Sequence, residues 1–362
     1  MTKPKAIWSL LWRLTICGLL LAWIFHRIFT QEGRLALQAL GQEFDQLSRP
    51  EQWRAAWHYG PRELWHTLNL VHPIAFILSL LFMGLTIFIG VWRWRLVMQT
   101  QGLHLPAGRA LEISLVAHFF NSFLLGSSGG DLIKAYYAAR ETHHQKPEAV
   151  MTVLVDRIIG LFAMLTFAGC MMVPNLSLLR SHERLAALAG LILLMMVGCA
   201  VFLLIAFWGG LSRHWPQARH WLRALPKGDL LERALDAARR IGREPVMLAK
   251  MLGVSMILNL ACVGQVMALA FGLDLHLSPP VLLLVVPIII CISAIPITPN
   301  GLGIRENLYV LMLAVPEINT PATSALSLSL LAYAGSLIWS LGGGAVYLFL
   351  RDRQHLYEVT HS

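Results

Sequence analysis

Runs of about 20 mainly apolar residues recur along almost the whole chain, and no other feature constrains its fold as strongly. A bilayer's hydrocarbon core is about 30 Å thick, and a helix of about that length in residues crosses it. Such runs read at about 7–25, 73–92, 149–173, 185–208, 246–272 and 324–350. Inside lipid every backbone amide needs a protein partner, and a helix supplies one from its own neighbouring turn. The expected fold is therefore all-α: a polytopic helical membrane protein, one integral-membrane domain over 1–362. Charged residues make up 14% of the chain against 56% hydrophobic, too few to cover a water-facing surface, which excludes an ordinary soluble enzyme.

Charge placement orients the spans. The formal net charge of +9 sits in short stretches between apolar runs, which points to topology and anionic headgroups and away from nucleic acid. Residues 210–250, with Arg213, Arg219, Arg223, Arg233, Arg239, Arg240 and Arg243, form the densest basic loop, expected in the cytoplasm. Trp92-Arg93-Trp94-Arg95 reads as an interfacial belt on the same side. Residues 26–71, where acids balance bases among Trp53, Trp57 and Trp65, read as an external segment of interfacial helices. The apolar run at 7–25 is followed by His26-Arg27-Ile28-Phe29, with no small-residue cleavage site, so it reads as a retained first helix. The inner (plasma) membrane with both termini cytoplasmic satisfies these signs. The five cysteines are scattered singly through apolar segments and read as small core residues.

Two apolar runs are too short to cross alone. One, about 111–125, breaks at Gly126-Ser127-Ser128-Gly129-Gly130-Asp131 before a helix over 132–140; the other, about 281–295, breaks at Pro296 to Gly303 before a helix over 304–315. The orientation stays consistent if each is re-entrant, the first from the cytoplasm and the second from outside. Interrupted helices in corresponding places of two halves are the mark of an inverted-repeat transporter with its site near the midplane.

Irregular backbone at membrane depth belongs beside a cavity, and a helix start aims free N–H groups and the positive dipole end at it. Gly126, Gly129 and Gly130 bare the first break; Asn300, Gly301 and Gly303 bare the second. Two tight turns used for close packing would look the same in sequence. Ionisable residues inside a membrane are functional candidates, and Asp131, Lys134, Asp156, Arg157, Arg305 and Glu306 qualify. Adjacent residues on a helix point about 100° apart, so Asp156 and Arg157 need partners elsewhere. Lys134 or Arg305 suits Asp156, and Asp131 or Glu306 suits Arg157. The plainer alternatives are snorkelling of Asp156 and Arg157 to the headgroups and helix capping by Asp131. Catalytic, metal-binding and nucleotide-binding motifs are missing from the sequence, His143-His144 reads as a solvated pair, and no cofactor is expected.

Asn121-Ser122-Phe123 with Gly126 to Asp131 and Lys134, then Val155-Asp156-Arg157-Ile158-Ile159-Gly160, then Pro296 with Pro299-Asn300-Gly301-Leu302-Gly303-Ile304-Arg305-Glu306 resemble one known family. It is the flippase-like membrane domain of bacterial lysylphosphatidylglycerol synthetases, found also as stand-alone proteins, and the likeness covers about 70–350. It implies re-entrant helices and movement of a lipid or lipid-linked substrate between leaflets. The synthetases continue into a large cytosolic aminoacyl-transfer domain, whereas this sequence stops twelve residues after Leu350, so lipid aminoacylation is not expected.

Three readings stand. In the first, the chain translocates a membrane lipid, anionic or phosphate-bearing, whose phosphate sits at the two glycine breaks held by Arg157, Arg305 and Lys134. In the second it is a membrane glycosyltransferase or lipid-modifying transferase with Asp131, Asp156 or Glu306 as base. In the third it is a non-transporting scaffold that recruits an envelope-biosynthesis enzyme. A homo-oligomer is compatible with each.

Overall fold

The computed structural model describes residues 3–40, 42–123, 129–142, 146–208, 244–295 and 297–360. Gly126, Pro296, the His143-His144 pair and residues 209–243, most of the basic 210–250 loop, lie outside the described residues. The described residues form helices and no strand: α1 (Lys3–Ala39), α2 (Arg49–Asn69), α3 (Pro73–Thr100), α4 (Ala107–Phe123), α5 (Gly129–Glu141), α6 (Lys146–Met172), α7 (Leu176–Ser181), α8 (Glu183–Trp208), α9 (Pro245–Gly272), α10 (Pro279–Ser293), α11 (Ile304–Leu313) and α12 (Ala322–Thr360).

Five stretches among the described residues are long and apolar enough to cross a bilayer: Pro73–Thr100, Pro147–Ser181, Glu183–Leu204, Pro245–Gly272 and Ala322–Phe349. They coincide with five of the six spans read from the sequence. The sixth, about 7–25, falls in α1, where most side chains lie outside the described ones. On α8, Leu194, Val197, Val201 and Leu204 form an exposed stripe at helical spacing. Water would make that stripe costly, whereas lipid solvates it, so the apolar side faces outward. The chain is an all-α, polytopic membrane protein.

The 26–71 segment begins differently from expectation. No separate interfacial helix starts at 26; α1 runs unbroken to Ala39, since no proline or turn cluster interrupts 26–39, and only α2 stands apart. Ser48 caps α2 by donating its backbone N–H (3.0 Å) and its hydroxyl (2.6 Å) to Glu51. The hydroxyl bond, with the N–H bond second, holds the Glu51 carboxyl below the usual carboxylate range. Trp53, Trp57 and Trp65 are exposed along α2. Cys291 is buried as expected of a small core residue, but Cys170 is exposed on α6, where an apolar thiol facing lipid costs little.

The chain divides into two compact units. One contains residues up to 82 and 263–336, and with them the second break; the other contains the described residues of 83–262 and those from 337 onward, and with them the first break. In the second-break unit, Ile28 and Phe29 of α1 pack with Ala56 and Leu64 of α2 and Leu326 of α12. There α10 is buried on nearly all sides, from Leu282 to Ile292, which is how a helix apolar all round behaves in a core. In the first-break unit, Trp94, Met98, Ile113, Val116, Ala138 and Val153 bind α3, α4, α5 and α6 into one core.

Candidate functional site

The first break lies between α4 and α5. These have 17 and 13 residues, about 25 and 20 Å of helix, each short of the hydrocarbon thickness. At one end Gly130 N–H donates to Asn121 Oδ1 at 2.8 Å; at the other Arg109 Nε and Nη2 reach Glu141 Oε1 at 2.9 and 2.7 Å. The start of one helix lies beside the end of the other, so the pair is an antiparallel hairpin that returns to the side it came from. Gly130 is where they touch: a Cβ there would run into Ala117 O and the Asn121 side chain.

Five charges gather beside this hairpin. Asp156 of α6 takes the Arg93 guanidinium of α3 side-on, Nε to Oδ1 at 2.8 Å and Nη2 to Oδ2 at 3.4 Å. Lys134 Nζ, one turn into α5, lies 3.7 Å from Asp156 Oδ2 and 4.2 Å over the face of Trp94. Ser255 of α9 accepts from Arg93 Nη1 at 3.2 Å. A Cβ on Gly160 would stand 2.8 Å from the Arg93 guanidinium nitrogens, so a bare α6 backbone makes room for it. The side chains of Arg93, Lys134 and Asp156 are only 13%, 12% and 10% exposed. At the rim Arg157 Nε meets Asp131 Oδ2 at 3.4 Å, with Arg157 55% exposed.

Among the described residues, three cations, Arg93, Lys134 and Arg157, therefore share the two carboxylates of Asp156 and Asp131. Removing ions from water costs several kcal/mol each, so a cation-rich cluster of this kind suits an anion. Both partners expected from the sequence, Lys134 for Asp156 and Asp131 for Arg157, are the ones the structure brings together.

The second break is chemically different. Asn300, Gly301 and Gly303 turn the chain through φ of 53°, 70° and 82°; the two glycines adopt such angles without a Cβ penalty, and asparagine is one of the few other residues that visit this region. Gly303 then begins α11, and its N–H donates to Glu306 Oε2 at 2.6 Å. The other Glu306 oxygen takes Arg305 Nη2 and, at 3.4 Å, the Ser329 hydroxyl. Arg305 also donates Nε to Ser329 Oγ at 3.2 Å and lies 4.6 Å over the Tyr333 ring. Glu306 is fully buried. Adjacent helical residues rarely pair, yet Arg305 and Glu306 do, because Glu306 folds back to cap its own helix and thereby comes within reach of the second residue of that turn.

The belt reading of Trp92-Arg93-Trp94-Arg95 is corrected. Trp92 is exposed, but Trp94 is completely buried, donating Nε1 to Thr152 Oγ1 at 3.2 Å, and Arg93 is an internal counter-ion. Two residues along a helix turn about 200°, so Arg93 and Arg95 could not both face the headgroups. Nothing in the sequence singles out Ser255, Ser329 or Tyr333. Among the described residues no group of three or more His, Cys, Asp or Glu is placed to hold a metal ion.

Short helices with ionic clusters, set among apolar spans, define a class: polytopic helical membrane proteins with ionisable side chains paired among their helices. The family sequence profile described as "Lysylphosphatidylglycerol synthase TM region" matches residues 52–344, more than half of the chain, and the chain belongs to that family. No curated protein matches it. Family membership gives it a membrane lipid-related function.

Proposed function

We propose that the chain translocates a phosphate-bearing lipid between the leaflets of the inner (plasma) membrane, both termini facing the cytoplasm. The observation that carries this reading is the cluster of Arg93, Lys134 and Arg157 gathered with Asp131 and Asp156 beside the first break. A phosphodiester carries one negative charge, which Lys134 and Arg157 can share once Asp131 releases Arg157. Arg93 keeps Asp156 in place meanwhile. The start of α11 supports no such role in this state, because Glu306 already fills the place a phosphate would take. The expectation of phosphate at both breaks thus narrows to the first.

Leaflet exchange of a fluorescent anionic phospholipid in proteoliposomes tests it. Wild-type protein should accelerate exchange and Lys134→Gln should slow it at least tenfold while remaining folded. Exchange unaltered by Lys134→Gln refutes the reading. Lipid modification without exchange would turn the assignment to a transferase.

A further inference from the structure

The geometry points to an anion site away from the helix hairpin, one that seats a phosphate group in a cleft where the chain turns from α3 into α4. This inference goes beyond the translocation reading and stands or falls apart from it. The cleft has a volume of about 340 Å³ and is lined by Arg95, Gln99, Leu103, His104, Leu105 and Pro106, all within the first-break unit. That volume lies at the small end of the range of about 300–1,000 Å³ for small-molecule sites, which suits a headgroup.

Local sequence builds the cleft. Gly102, at φ 73°, ends α3: its N–H donates to Gln99 O and the Leu103 N–H donates to Met98 O, both at 3.0 Å, the paired bonds of a left-handed helix stop. The chain then doubles back, and Leu105 O accepts from Arg95 Nε at 3.2 Å. Leu103 and Leu105 are buried in one core with Trp94 and Met98, so the floor is fixed before any ligand arrives.

Arg95 differs from Arg93, Arg109 and Arg157, which each meet a carboxylate. Among the described residues Arg95 meets none, and its bond to a neutral carbonyl leaves its charge uncancelled. No carboxylate lines the cleft, while Gln99 and His104 add N–H donors. A guanidinium with amide and imidazole donors around an open volume selects an anion with several oxygens, and the planar guanidinium matches phosphate. Two residues along a helix turn about 200°, so this cleft faces away from the Arg93–Asp156 cluster. Trp92, three residues before Arg95 and so on its helix face, is exposed, and an exposed indole at a span end sits at headgroup depth. The phosphate of a membrane lipid is therefore the nearest supply, and inorganic phosphate is the other source.

Hydrogen exchange of the full chain in maltoside micelles, read by mass spectrometry over 99–110, tests the site locally. Dioleoylphosphatidylglycerol at about ten times its Kd should slow exchange of the Gly102 and Leu103 amides about tenfold, and Arg95→Gln should abolish that slowing. His104→Ala should weaken it and serves if Arg95→Gln fails to fold. Slowing by inorganic phosphate but not by the phospholipid would keep the phosphate site and assign it to a soluble ligand. No slowing by either, equal slowing by diacylglycerol, which lacks the phosphate, or equal slowing in wild type and a folded variant overturns the inference. Lipid exchange unaltered by Lys134→Gln, with the slowing at 99–110 intact, would count against the translocation reading alone.

Discussion

At the first break a neutral side chain, Asn121, meets the amide that starts the returning helix, and three cations share two carboxylates alongside. At the second a carboxylate, Glu306, meets the corresponding amide and Arg305 cancels its charge. Both breaks solve one problem, the unpaired backbone at a helix start, and the solutions differ in charge: a neutral amide oxygen at the first, a carboxylate at the second. Glycine-rich breaks that look alike in sequence can therefore differ in electrostatics, and the capping residue sets the difference.

The largest effect that could break this comparison is on stability. Asp156→Ala should cost about 3–5 kcal/mol, since it strands Arg93 and Lys134 without their shared carboxylate. Thermal unfolding in detergent measures it; a cost under about 1 kcal/mol would mean the cluster is not desolvated. Glu306→Gln should cost less, about 1.5–3 kcal/mol, because the amide can still accept from Gly303 N–H while the ionic contact to Arg305 is lost. Asp131→Asn removes one half of a partly exposed pair and should shift stability by only about 0–1 kcal/mol. It should nevertheless strengthen anionic lipid retention, and equal retention would show that Asp131 does not compete with the headgroup.

The smallest effect calibrates the capping argument in water. Glu51 caps α2 with the same carboxylate-to-N–H geometry as Glu306, but fully exposed. Its folded pKa is lowered, so its contribution is complete above the unfolded carboxylate pKa and disappears as pH falls through the folded value. Hydrogen exchange in the first turn of α2 should accelerate only below the normal carboxylate range, and Glu51→Gln should remove that pH dependence.

Much of this was legible in the sequence. Span length and apolar content fix α3, α6, α8, α9 and the membrane part of α12, because lipid imposes a length that composition reports. Both breaks were visible in the Gly, Pro and Asn that interrupt two short apolar runs. Counting intramembrane charges narrowed the partner of Asp156 to Lys134 or Arg305 and that of Arg157 to Asp131 or Glu306, and the structure selects Lys134 and Asp131. Arg93 was hidden because arginine beside tryptophan at a span end also describes an interfacial belt, and only the buried face of α3 distinguishes the two. The Arg305–Glu306 contact was hidden because it depends on a side chain folding back to a cap, which residue spacing does not encode.

Native mass spectrometry of copurifying lipids, compared across wild type, Lys134→Gln and Arg305→Gln, tests the central claim most directly. A phosphate-bearing lipid held by wild type and Arg305→Gln but lost from Lys134→Gln is the predicted result and places the headgroup at the first break. Loss in Arg305→Gln with retention in Lys134→Gln would contradict it and move the headgroup to the second.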